Sequence, residues 1–128
     1  MPVPMKIDFV SDIACPWCAV GLASLQQALG HSADAVQATL RFQPFELNPD
    51  MPPEGEDIGE HLARKYGGTP EQFARNREAI RERGAAVGFA FKPEGRGRIV
   101  NTFNAHRLLH WAGLQGAAAQ LALKQALL

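Results

Sequence analysis

Two cysteines, the only ones in the chain, stand at positions i and i+3 of Ser11-Asp12-Ile13-Ala14-Cys15-Pro16-Trp17-Cys18-Ala19-Val20-Gly21. An alternating apolar run passes into a helical pattern here, so the pair falls at a helix start. Residues at this spacing share a helical face, which brings their sulfurs about one turn apart and lets them bridge. The first cysteine meets the unpaired N–H groups and the positive dipole end of the helix, which favour thiolate over thiol. The second lies a turn inside and is less accessible. Cys15 is therefore expected to attack and Cys18 to resolve. Pro16 suits the first helical turn, where its missing N–H removes nothing from the hydrogen-bond ladder. Trp17 is expected to be exposed beside the nucleophile, an apolar platform for substrate. Asp12 reads as a side chain that caps the turn or as a proton acceptor, and short polar residues at such positions favour the cap.

The elements that must position this turn follow from patterning. Lys6 to Ser11 places Ile7 and Phe9 on one face and reads as strand one. From Pro16, Leu22, Leu25 and Leu29 recur at helical spacing, and Gly30 is expected to end the helix. Gln37 to Leu47 alternates again around Leu40 and Phe42, and Pro44 implies an edge strand or a bulge. Strand, helix, strand of this length predicts a right-handed βαβ unit with a parallel pair. The dithiol turn then lies at the carboxyl end of strand one, where open α/β sheets put their sites.

After the proline-rich loop from Asn48 to Gly55 the pattern turns helical. Asp57 can cap a helix through Ile58, Leu62 and Tyr66 that stops at Gly67-Gly68. Thr69, Pro70 and Gln72 form a capping-box signature for a helix with Phe73, Ile80 and Val87 on its apolar face, ended by Gly84 and Gly88. Phe89 to Phe91 is expected to be extended and Lys92 to Arg98 a glycine-rich loop. Asn101 or Thr102 caps a further helix through Leu108, Leu109 and Trp111, expected to be largely buried. The last helix, from Gly116, carries Gln120 and Lys124 at i, i+4, which reads as its wet side.

Thirteen basic residues balance thirteen acidic ones, so no overall field draws the chain to nucleic acid or to an anionic membrane. Hydrophobic residues make up 46% of the chain, enough apolar material for one core. The N-terminus has no long apolar segment, so neither a signal peptide nor a spanning helix fits and a cytoplasmic protein is expected. With both cysteines inside one C-x-x-C, none remains for a structural bridge.

Four stretches together resemble the FrnE-like branch of the DsbA-like thioredoxin-fold oxidoreductases: Ser11-Asp12 through Cys15-Pro16-Trp17-Cys18 to Gly21; Pro44-Phe45-Glu46-Leu47-Asn48-Pro49; Leu62 through Lys65-Tyr66-Gly67; and Asn101-Thr102 with Ala105-His106-Arg107-Leu108. The resemblance implies an α/β thioredoxin-like fold: residues 1–48 as the N-terminal βαβ half and 49–128 as a helical insertion, incomplete at its C-terminal end. The final β-β-α segment of that fold, with its cis-proline loop, is absent, since the last proline is Pro93 inside the insertion. The chain ends on Ala126-Leu127-Leu128 without a helix stop, which reads as a truncation. The free side of strand one is then expected to be covered by a homo-oligomer or swapped dimer.

The implied activity is thiol-disulfide exchange on a disulfide-containing protein or small molecule, with a thiol reductant closing the cycle and no metal or organic cofactor required. Pro16 and Trp17 offer Cys15 no cation, so its thiol is expected to be less acidic than in DsbA itself, where a histidine is adjacent. Relatives with the same insertion, the kappa-class transferases and hydroxychromene-carboxylate isomerases, handle glutathione with a serine near the Cys15 position, and cysteine there disfavours that alternative. A metal-binding module is the third reading, because His106 and His110 have the spacing of a zinc pair. Most of the chain separates them from the cysteines, whereas a finger has roughly 12 to 15 intervening residues. A partly buried histidine pair with backbone or carboxylate partners is the better account, and His31 and His61 read as surface residues. The arginines at 75, 77, 81 and 83 read as a solvated helix face, and Arg96 and Arg98 as part of a flexible loop.

Overall fold

The computed structural model describes every residue, Met1–Leu128. β1 (Val3–Ser11) and β2 (Val36–Pro44) form a parallel pair, in register from Val3 opposite Val36 to Ser11 opposite Pro44, with α1 (Pro16–His31) crossing between them. The period-two residues of both strands share a face: Phe9 and Phe42 meet with ring centroids 5.7 Å apart. Leu22, Leu40 and Phe42 are buried there, and Ile7, Phe9, Leu25, Leu29, Leu121 and Leu128 pack around them. Both strands extend further towards their N-termini than the alternation alone predicts. β2 stops at Pro44, short of Leu47, because its partner β1 ends at Ser11, whose carbonyl still accepts the Phe45 N–H at 3.1 Å. Gly30 lies inside α1, not at its end, because the Ser32 N–H closes the helix on the Ala28 carbonyl at 3.1 Å and no left-handed residue is needed.

A second, smaller sheet pairs β3 (Glu56–Asp57) antiparallel with β4 (Arg98–Ile99). No periodicity announces strands this short. Between them run α2 (Ile58–Tyr66) and α3 (Pro70–Ala86), whose caps are those the sequence predicts. Asp57 Oδ2 accepts the Glu60 N–H at 3.0 Å, and Thr69 and Gln72 form the reciprocal capping box. Gly55, at φ 75°, lies so close to the Ile99 carbonyl that any side chain would collide with it. This contact seats β4 over a core of Ala14, Met51, Ile99 and Ile58, next to the cysteine turn. Phe89 to Phe91 forms no strand; Phe91 packs on Gly84 instead.

α4 (Phe103–Gln115) and α5 (Ala117–Leu127) form a hairpin against β2 and overturn two expectations. α4 is not largely buried: His106, Leu109 and Ala112 face inward, while Phe103, Leu108, Trp111 and Leu114 remain exposed. Gln120 and Lys124 are not the wet side of α5 but its buried side, 6% and 1% exposed. The reason for Gln120 is the open edge of β2. Its Oε1 accepts the Phe42 N–H at 3.0 Å, and its Nε2 donates to the Phe42 and Leu109 carbonyls at 3.2 and 3.0 Å. One side chain thus does the work of a neighbouring strand. Gly113 makes room, since a Cβ there would come within 2.7 Å of the Gln120 amide nitrogen. The alanines at 117, 118, 119, 122 and 126 face solvent in place of the polar pair. No helix is long and apolar enough to cross a membrane.

Candidate active site

Cys15 is the N-cap of α1, in extended conformation, with Pro16 in the first turn and Cys18 one turn inside. Both thiols are free and half-buried. The Cys15 thiol is lowered from its ordinary value to about 6. The largest cause is a hydrogen bond from the Cys18 thiol, followed in the same direction by the backbone N–H groups of Cys18 and Trp17; burial and the Asp12 charge oppose it. Donating that hydrogen to a thiolate, and being buried, pushes the Cys18 thiol far up. The asymmetry expected from helix position is present, and the Cys15 value lies well above the ~3.5 extreme of known thiols. Trp17 is 51% exposed, as its place in the motif predicts.

Asp12 is 1% exposed and its carboxylate takes three donors. Oδ1 accepts from the Ala14 N–H at 3.4 Å and from His106 Nε2 at 3.2 Å; Oδ2 accepts from the Leu47 N–H at 2.9 Å. Because a carboxylate oxygen accepts, His106 carries its hydrogen on Nε2. The turn-capping reading of Asp12 accounts for the bond from Ala14, while the other two tie the segment after β2 and helix α4 to the cysteine turn. The other stretches behind the family resemblance meet at the same place. Lys65 Nζ donates to Asn48 Oδ1 at 2.8 Å, and Asn101 Nδ2 donates to the Met51 carbonyl at 2.8 Å. Asn101 also accepts the Phe103 N–H at 2.9 Å, so it, and not the Thr102 side chain, caps α4.

The histidines divide differently from the expected pattern. His106 is buried on a carboxylate as predicted, but its neighbour His110 is exposed. His61 is buried at 4%, not a surface residue, because its Nδ1 lies 3.2 Å from Glu56 Oε2, which also accepts from Arg64. No three His, Cys, Asp or Glu side chains gather into a set that could hold a metal, so Cys15, Cys18, His106 and His110 do not form one.

Two cations near the dithiol escape the sequence reading. Lys124 lies under β2 with its ammonium 5.7 Å from the centre of the Phe42 ring, and burial pushes its pKa down. A single charge in an otherwise apolar helix was the available signal. Arg96 reaches from the distant 92–98 loop to the Ala14 carbonyl, a contact that no local pattern encodes.

A family model for the DSBA-like thioredoxin domain matches residues 6–127. The chain belongs to the DsbA-like thioredoxin family. It is similar to a crystal structure of a probable DsbA oxidoreductase from Streptomyces coelicolor, with a TM-score of 0.81 and 35% identity over 96% of this chain and 52% of that one. The chain therefore spans about half the length of that relative. No curated protein matches it. As the resemblance implied, the fold is the DsbA-like thioredoxin fold, with five helices against few strands.

Proposed function

We propose that this DsbA-like chain serves a thiol-disulfide oxidoreductase of the FrnE-like branch, with Cys15 as nucleophile and Cys18 as resolving thiol. The observation that carries the reading is the unequal thiol pair at the start of α1, where Cys18 and two backbone N–H groups stabilise a thiolate on Cys15. The Cys15 thiolate attacks one sulfur of a substrate disulfide, a mixed disulfide forms, and the other substrate sulfur leaves as thiolate. Cys15 no longer holds the Cys18 hydrogen once it is bonded to substrate, so Cys18 can lose its proton and attack the Cys15 sulfur. The second substrate thiolate departs, and two electrons have passed from dithiol to substrate. A thiol reductant restores the pair.

Asp12 is the candidate acceptor for the Cys18 proton, since its backbone N–H faces the Cys18 sulfur and its carboxylate is the nearest in sequence. In a reducing cytoplasm the pair rests as dithiol, which favours reductase or isomerase work. The outer edge of β1 carries no strand, and Val3, Met5 and Val10 are exposed along it. An exposed strand edge recruits further strands, and that apolar edge is what supports a homo-oligomer or swapped dimer.

Insulin reduction by the protein and by single Cys15→Ser and Cys18→Ser variants tests the reading. Both variants should lose turnover by at least about a thousandfold, and Cys18→Ser should accumulate the mixed disulfide. Activity that survives Cys18→Ser would point to glutathione isomerase chemistry, and stoichiometric zinc after purification in reductant to a metal module.

A further inference from the structure

Arg96 lies 82 residues from Ala14 in sequence, yet its Nη1 donates to the Ala14 carbonyl, immediately before the nucleophile, at 2.6 Å. The loop that carries it is not the flexible segment its glycines suggest. Gly95 N–H bonds the Lys92 carbonyl at 3.0 Å, the Gly97 carbonyl accepts the Ile58 N–H at 3.1 Å, and Arg98 donates to the Glu54 carbonyl at 3.0 Å. Arg96 is thus pinned on both sides while its own side chain stays exposed.

The bond to Ala14 uses one of the five N–H donors of the guanidinium. No carboxylate lies within ion-pairing distance of it. The buried Asp12 carboxylate is already occupied by three donors, and Arg98 is committed to Glu54. A clamp on one carbonyl needs a single donor. A planar fork held beside the attacking sulfur, with its other donors free, matches a carboxylate on the incoming molecule. We propose that Arg96 is a substrate-binding residue that selects disulfides carrying a carboxylate beside the sulfur under attack. The inference rests on Cys15 being the nucleophile, and Arg96 changes neither the bonds made and broken nor the electron count.

The test is the rate of mixed-disulfide formation by the reduced protein, in buffer well above the Cys15 midpoint so that thiolate content is constant. Two small probes are compared: dithiodipropionate, with two carboxylates, and the neutral bis(hydroxyethyl) disulfide. Two cystine peptides with Glu or Gln beside the disulfide form a second arm. Arg96→Gln should reduce the preference for the charged over the neutral partner by about tenfold, the size of one charge-assisted hydrogen bond, and Arg96→Lys by less. In the unsubstituted protein the same preference should fall with ionic strength. Loss confined to the small probes assigns a small dicarboxylate disulfide, and loss in the peptide pair an acidic protein segment. An unchanged ratio in both arms, or an equal fall for charged and neutral partners, overturns the inference and leaves Arg96 a structural clamp. If none of the disulfides reacts at Cys15, the nucleophile assignment itself fails.

Discussion

Helix α3 carries Arg75, Arg77, Glu78, Arg81, Glu82 and Arg83 and buries only Gly84, whereas α5, mostly alanine and leucine, buries Gln120 and Lys124. In α3 the charges answer one another in water, as Arg81 does with Glu78 one turn away. In α5 the polar side chains answer the main chain and ring of β2: Gln120 finishes the edge of the strand, and Lys124 lies behind Phe42. Composition ranks the two helices one way and their polar contacts with β2 rank them the other. A polar residue's value here depends on which backbone groups would otherwise go unpaired.

Substitutions that remove these partners should separate the helices by size of effect. Gln120→Ala leaves the Phe42 N–H and carbonyl without partners, removes the tie to the Leu109 carbonyl, and should cost about 3 kcal/mol in chemical unfolding. A loss no larger than that of an exposed α3 residue would mean that β2 does not depend on α5. Lys124→Met keeps the stem and removes a buried charge, so it should stabilise the protein by about 1 kcal/mol near neutral pH. Burial lowers the Lys124 pKa, so the unfolded chain binds that proton more readily and the cost of the charge shrinks as pH rises towards the ordinary lysine value. The advantage of the Met variant should narrow over the same range, and a constant difference would show that the charge is not what burial penalises. Arg81→Ala, which breaks the exposed pair with Glu78, should change stability by no more than about 0.5 kcal/mol.

Much of the fold is legible in the sequence. The alternation around Ile7, Phe9, Leu40 and Phe42, the Thr69-Pro70-Gln72 cap and the cysteine pair at a helix start each express a local rule, and each was found in place. The failures share a cause. Gln120 at a strand edge and Arg96 on Ala14 are bonds between distant segments, and His61 meets Glu56 on the short strand that precedes its own helix; no helical or strand spacing rule encodes any of them. The exposed Phe103, Leu108, Trp111 and Leu114 on α4 fail for a related reason, since apolar content says what could be buried and not what lies opposite. At the candidate site, the meeting of Cys15, Cys18 and the turn-capping Asp12 is legible from types and spacing, while the two cations beside them are not.

The central claim is that Cys18 and the helix start hold Cys15 as a thiolate at neutral pH. Ultraviolet titration of the reduced protein tests it most directly. The account predicts a Cys15 midpoint of about 6, absent in Cys15→Ser and shifted upward in Cys18→Ala. A midpoint near the ordinary thiol value of about 8.5, unmoved by the loss of Cys18, would contradict it.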